Sequence, residues 1–146
     1  MTNVSHGVIS FLGYRVKSLL YNCEPSFEFV ELDGGAMHFN FQKALIKKDS
    51  HTVQVNLIAN VFYSTDKDFN SAPFKLSAEI AGRFTCEDEW CEKWETNALA
   101  ILFPYIRAII STVSSQIGRE PIILPTVNIT QMFKPQPVDG ELTDEP

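Results

Sequence analysis

Four stretches of the chain read as strands, three of them alternating apolar and polar side chains with the two-residue period of a strand. The cleanest covers 53–61, where Val53, Val55, Leu57, Ala59 and Val61 alternate with Gln54, Asn56, Ile58 and Asn60. A second sets Met37, Phe39 and Phe41 against His38, Asn40 and Gln42. A third sets Phe74, Leu76, Ala78, Ile80, Gly82 and Phe84 against Lys75, Ser77, Glu79, Ala81 and Arg83. The earliest, 8–21, carries apolar groups on both faces until Pro25 breaks it. Gly34-Gly35 and Lys47-Lys48-Asp49-Ser50 are turn signals, and a polar loop runs from Ser64 to Pro73. Short loops between consecutive strands predict an antiparallel meander, because parallel pairs need long crossovers. One face of such a sheet can remain wet.

After residue 85 the period changes. Trp90, Trp94, Ala98, Leu102, Tyr105, Ile109, Val113 and Ile117 recur at intervals of three and four, with a second apolar edge of Leu99, Phe103, Ile106 and Ile110. This predicts one long helix, or two joined near Thr96-Asn97 or Pro104. Thr85-x-x-Asp88 reads as a capping-box variant, and Gly118 as the residue beyond the helix end. A helix of this length spans about 40 Å, enough to cover the sheet and leave surface for another subunit. Val127 to Phe133 predicts a short final helix, stopped by Pro135 and Pro137. The expected organisation is one α+β domain over 1–133 and a Pro-containing, acidic, disordered tail over 134–146.

Composition narrows the function classes. The chain has 146 residues, 45% of them apolar, enough for a single core. Its net charge of −6, with no basic cluster beyond Lys47-Lys48, argues against nucleic acid as a partner. Neither a signal peptide nor an uninterrupted apolar run of membrane-spanning length is evident, so we expect a cytoplasmic protein with no membrane insertion. Cys23, Cys86 and Cys91 are an odd set without matching histidines, which fits reduced thiols and no metal.

No catalytic constellation emerges: there is no nucleophile elbow, phosphate loop or zinc-protease motif. We therefore expect no enzymatic activity and no cofactor. His38 and His51 are available as bases but fall on a polar strand face and in a turn. Glu87, Asp88, Glu89, Glu92 and Glu95 suit a solvated helix start, where they complement the dipole. The aromatic content is unusual, with 11 Phe among 146 residues. Of Phe39, Phe41, Phe62, Phe69, Phe74, Phe84, Trp90, Trp94, Phe103 and Phe133, about half are expected in the core. The rest predict a groove for extended apolar chains, since aromatics offer large apolar area at low entropic cost.

Two segments carry a family resemblance. Ile101-Leu102-Phe103-Pro104-Tyr105-Ile106-Arg107 places a proline inside a helical pattern, followed by Leu124-Pro125-Thr126-Val127-Asn128-Ile129. With Phe11, Arg15, Pro25 and Gly82-x-Phe84 in matching order, the chain resembles the SecB-like export chaperones over roughly residues 8–133. The resemblance implies an ATP-independent holdase that binds unfolded or precursor polypeptides and assembles as a homotetramer, a dimer of dimers. Long helices and first strands would supply the subunit contacts, with Phe103, Pro104, Tyr105 and Arg107 in the interface. The client groove would include Met37, Phe39, Phe41, Phe74, Leu76, Ala78, Met132 and Phe133. The places matching the family's acidic docking face for SecA fall near Leu19, Cys23, Lys75 and Ser77, and none is acidic. This counts against SecA docking. The rival readings are a module dedicated to one protein partner, such as an antitoxin, and a small-ligand-binding α+β protein with His38 and His51 in its pocket.

Overall fold

The computed structural model describes residues 9–25, 27, 36–64, 69–117, 121–125, 139–140 and 142–143. Four long strands, β1 (Ile9–Cys23), β2 (Ala36–Lys47), β3 (Thr52–Ser64) and β4 (Phe74–Cys86), precede helix α1 (Glu92–Gln116). A two-residue ladder pairs β5 (Asp139–Gly140) with β6 (Leu142–Thr143). The rest of the acidic tail, Gly118 and the expected final helix with Met132 and Phe133 lie outside the described residues.

The sheet is antiparallel throughout, in the order β1-β4-β3-β2. Only β2, β3 and β4 follow one another as a meander. β1 sits beyond β4, so β1 and β2 form opposite edges. Residues 24–35 join them, and twelve residues reach far enough to cross two intervening strands at about 4.8 Å each.

Registration explains why the alternation was clean in three strands and blurred in the first. β2 faces the helix with Met37, Phe39 and Phe41, β3 with Val53 to Val61 at odd positions, and β4 with Phe74 to Phe84 at even positions. In β1 the register slips between Phe11 and Gly13, and again between Val16 and Ser18. Each bulge inserts one residue and exchanges the two faces. Ile9 and Phe11, then Tyr14 and Val16, then Leu19, Tyr21 and Cys23 therefore share the helix-side face. Gly13, at φ 118°, takes a conformation that a side chain would strain.

Helix α1 is continuous through Pro104. It starts later than expected, with Cys91 at the N-cap and no side-chain cap, because Thr85 and Cys86 are still paired in β4. Trp90 thus precedes the helix, although it packs in the core beside Phe84. The face on the sheet is centred on Ala98, Leu99, Leu102, Phe103, Ile106 and Ile110. The expected secondary edge is thus the middle of the buried stripe, and Tyr105 is 40% exposed. By its length and an 18-residue window of mean hydropathy 1.5, α1 also meets the criterion for a membrane-crossing helix. Part of that apolar content, 39% of the window, is buried in packing on β3 and β4.

The core lies between α1 and the two central strands. Each fully buried Phe, Leu or Ile there contributes about 1.5–3 kcal/mol of transfer free energy. Leu102 packs closely over Gly82, where a Cβ would stand 2.5 Å from Leu102 Cδ2. At the helix end, Ser114 Oγ donates to the Ser111 carbonyl (3.0 Å) and accepts from the Ile122 N–H (2.7 Å). That bond returns the chain to the core, where Ile122 and Leu124 are buried.

Candidate functional site

The helix covers β3 and β4 but contacts β1 little. On β1 the apolar side chains therefore have no lid. Leu12 (57%), Tyr14 (38%), Val16 (43%), Leu19 (52%), Leu20 (47%) and Tyr21 (46%) are all exposed. The bulges put Tyr14, Val16, Leu19 and Tyr21 on the helix side, Leu20 opposite, and Leu12 in the first bulge. Tyr105 of α1 extends the helix-side patch, its ring 4.7 Å from Tyr14 and 5.7 Å from Phe11. Beyond these side chains runs the free edge of β1, with backbone donors and acceptors unused by β4. A long, apolar, uncovered edge strand is the arrangement that invites pairing with another chain.

The opposite edge is different. Met37, Phe39 and Phe41 of β2 are half-buried at the rim of the core. Phe41 lies 5.7 Å from Phe103, ring to ring. Lys43 Nζ reaches Glu95 Oε2 at 3.3 Å and ties this edge to the start of α1. Leu45 and Ile46 add apolar surface farther along β2.

The residues singled out in sequence thus separate. Phe74, Leu76 and Ala78 are fully buried beneath the helix and present no surface. Phe103 is buried on the β2 side, Pro104 and Tyr105 are exposed, and Arg107 is half-buried. Pro104 and Tyr105 are the two expected interface residues that face solvent. About half of the aromatic surplus is core, as expected: Phe62, Phe74, Phe84, Trp90 and Phe103 are buried, while Phe39, Phe41, Phe69 and Trp94 are half-buried. The exposed apolar surface comes instead from Leu, Val and Tyr of β1, which sequence reasoning missed. Its signal was the two-faced apolar pattern of 8–21, which the bulges turn into one uncovered strip.

His38 and His51 do not converge. His38 donates from Nε2 to the Ser64 carbonyl (3.2 Å), and His51 from Nδ1 to the Cys86 carbonyl (3.1 Å). They lie near opposite ends of β3, about 34 Å apart at the rise of a strand. Among the described residues no cluster of three metal-ligating side chains occurs. Cys23, Cys86 and Cys91 are free thiols. Burial pushes the Cys86 thiol up, helped by nearby Asp88.

The face away from the helix is polar and cross-linked. Gln54 donates to Asn56, and Asn56 to Glu79. Ser77 donates to Asn60, which donates to Asn40 and Gln42. These bonds satisfy the amides of the central strands and keep that face from becoming a second apolar surface.

Comparison with known proteins bears on this architecture. No family model matches the chain. An uncharacterised protein of Methanocaldococcus jannaschii is 43% identical over 71 residues, 46% of this chain and 46% of that protein. The chain thus spans about half the length of the curated relative it matches. A solved protein of unknown function from Streptococcus agalactiae superposes with a TM-score of 0.48 at 14% identity, covering 82% of this chain and 98% of that one. The SecB-like chaperone Rv1957 of Mycobacterium tuberculosis, in complex with a ChAD peptide from the HigA1 antitoxin, superposes with a TM-score of 0.60. That match covers 82% of this chain and 90% of the other at 17% identity. The four-stranded antiparallel sheet packed against one long helix is the fold of a SecB-like chaperone.

Proposed function

We propose that the protein is an ATP-independent, polypeptide-binding chaperone that works as a homo-oligomer. The observation that carries this reading is the uncovered apolar edge strand β1, on a fold shared with a SecB-like chaperone. A second copy pairs along β1 and covers its apolar strip and Tyr105. Dimers then associate in pairs through the exposed side of α1 around Pro104. The β2 rim, with Met37, Phe39 and Phe41, receives apolar segments of non-native chains, and its free edge offers sequence-independent backbone hydrogen bonds. Met132 and Phe133 complete the client surface. The protein acts in the cytoplasm, and protein export is one process such a holdase serves. By binding the unfolded state it shifts the client's equilibrium by mass action.

The test is light scattering from a chemically unfolded protein diluted into buffer without ATP. Wild-type protein suppresses aggregation at a few-fold molar excess, and Met37→Lys reduces that suppression while leaving the oligomer intact. Absence of suppression by the wild type overturns the reading.

The antitoxin peptide bound by the Mycobacterium tuberculosis chaperone favours a second reading, a chaperone dedicated to one partner. Competition separates the two. A general holdase exchanges one unfolded client for another, whereas a dedicated one retains its partner against excess unfolded protein.

A further inference from the structure

The sequence shows no basic cluster beyond Lys47-Lys48, yet the fold assembles one. Arg15 of β1, Lys48 of the β2–β3 turn and Arg83 of β4 line one open cavity of about 670 Å³ on the sheet face away from the helix. They come from segments more than thirty residues apart, so no local pattern announces them. The strand register builds the site. Gly13 stands opposite Arg83, and Arg15 stands opposite Ala81. Each guanidinium therefore faces a residue with little or no side chain, and the two small residues leave an open floor between the two arginines. Diagonal neighbours of this kind lie about 7–8 Å apart, within reach of one ligand between two long side chains.

The balance of charge there is positive. Asp49 also lines the cavity, but its Oδ1 is engaged by the His51 N–H (2.7 Å) and the Thr52 N–H (2.8 Å). No ion pair to Arg15, Lys48 or Arg83 occurs among the described residues. In a chain of net charge −6, three unpaired cations around one cavity is a local reversal of the overall charge. Two planar guanidiniums flanking an open floor match the bidentate geometry of an oxyanion, and the ammonium adds a third charge-assisted donor.

We propose that this corner of the sheet is an anion site that takes a phosphate or carboxylate group. It lies at the β1 edge of the polar face, where Leu12 and Tyr14 of the β1 strip also line it, far from Met37, Phe39 and Phe41 of the β2 rim, and its assignment does not rest on the chaperone reading. Two sources share the chemistry, a free phosphate and the side chains of an acidic polypeptide segment.

Amide chemical shifts of the full-length protein at low ionic strength test it, with inorganic phosphate and a glutamate-rich peptide as separate probes. Saturable shifts at Gly13, Thr52 and Arg83 are expected with at least one probe. The probe that saturates at lower concentration identifies the source. In Arg15→Gln/Arg83→Gln, apparent affinity falls by about tenfold or more, as expected when charge-assisted hydrogen bonds are lost. Lys48→Gln, a turn substitution, gives a smaller loss and serves as the variant should the double substitution fail to fold. Absence of saturable shifts with both probes overturns the proposal, as does equal affinity in wild type and variants.

Discussion

At Gly82 the sheet has no side chain beneath Leu102 of the helix, and replacing it with alanine tests the packing that fixes their relation. The new Cβ stands 2.5 Å from Leu102 Cδ2, 3.1 Å from Leu102 Cδ1 and 3.1 Å from Phe84 Cε1. Carbon atoms pack best at about 3.5–4.0 Å, so the Leu102 methyl has to retreat by about 1 Å. Leu102 and Phe84 are both fully buried, which leaves little room to give. Overpacking of this kind costs about 1–3 kcal/mol. Alanine recovers about 0.5–1 kcal/mol over glycine in strand propensity. The net expectation is a loss of about 1–2 kcal/mol, or some 2–8 °C in melting temperature. Leu102→Ala alone costs about 2–5 kcal/mol by opening a cavity. In the double variant the added methyl is relieved of the Leu102 clash, keeps only the milder 3.1 Å approach to Phe84 Cε1, and partly fills that cavity. The pair therefore costs no more than Leu102→Ala alone. Urea unfolding followed by circular dichroism, at one fixed protein concentration, measures all four corners of the cycle. The fixed concentration matters because association shifts apparent stability. A Gly82→Ala protein as stable as wild type, or two penalties that simply add, refutes the packing argument.

Three further outcomes follow from single contacts. Ser114→Ala removes the acceptor of the Ile122 N–H in a buried setting, and urea unfolding should show a loss of about 1–3 kcal/mol. Asp49 is held below the usual carboxylate range, chiefly by the His51 N–H and also by Thr52. Because its folded value is depressed, its stabilisation is full above the ordinary carboxylate range and is lost as pH falls through the folded value. The stability gap between wild type and Asp49→Ala should therefore be widest near neutrality and close below about pH 4. Pro104 is exposed in an unbroken helix, so Pro104→Ala should raise thermal stability, by up to about 3 kcal/mol. A fall instead places Pro104 in a contact it does not make within one protomer.

How much of this was legible beforehand depended on what decided each element. The alternation of Val53 to Val61 and of Phe74 to Phe84 showed strand and face together, because β3 and β4 are central and each has one apolar side. The long helix was legible from its three-and-four spacing, but not its continuity, since Thr96-Asn97 and Pro104 each offered a break that the structure does not use. Its start was not, because Thr85-x-x-Asp88 offered a local cap while ladder pairing kept Thr85 in β4. Strand order was hidden, since the position of β1 depends on where residues 24–35 lead, and that is a tertiary choice. The bulges were hidden for the same reason. A pattern apolar on both sides looks like a doubly buried strand until a register slip turns it into an exposed one.

The client-side residues divide along similar lines. Phe74, Leu76 and Ala78 share their alternation with Met37, Phe39 and Phe41, and sequence alone does not say which row the helix covers. The helix lies over β4, so the first group is core and the second is rim. The basic corner was illegible because Arg15, Lys48 and Arg83 meet only through the pairing of β1 with β4 and the position of one turn.

The most direct test of the account is the mass of the protein in solution, measured by sedimentation velocity at micromolar concentration. The account holds that the exposed side chains of β1, from Leu12 to Tyr21, are covered by a second copy. It predicts a dimer or tetramer for the wild type and a folded protein of smaller mass for Leu19→Lys/Tyr21→Lys. A wild-type protein that remains a monomer contradicts it.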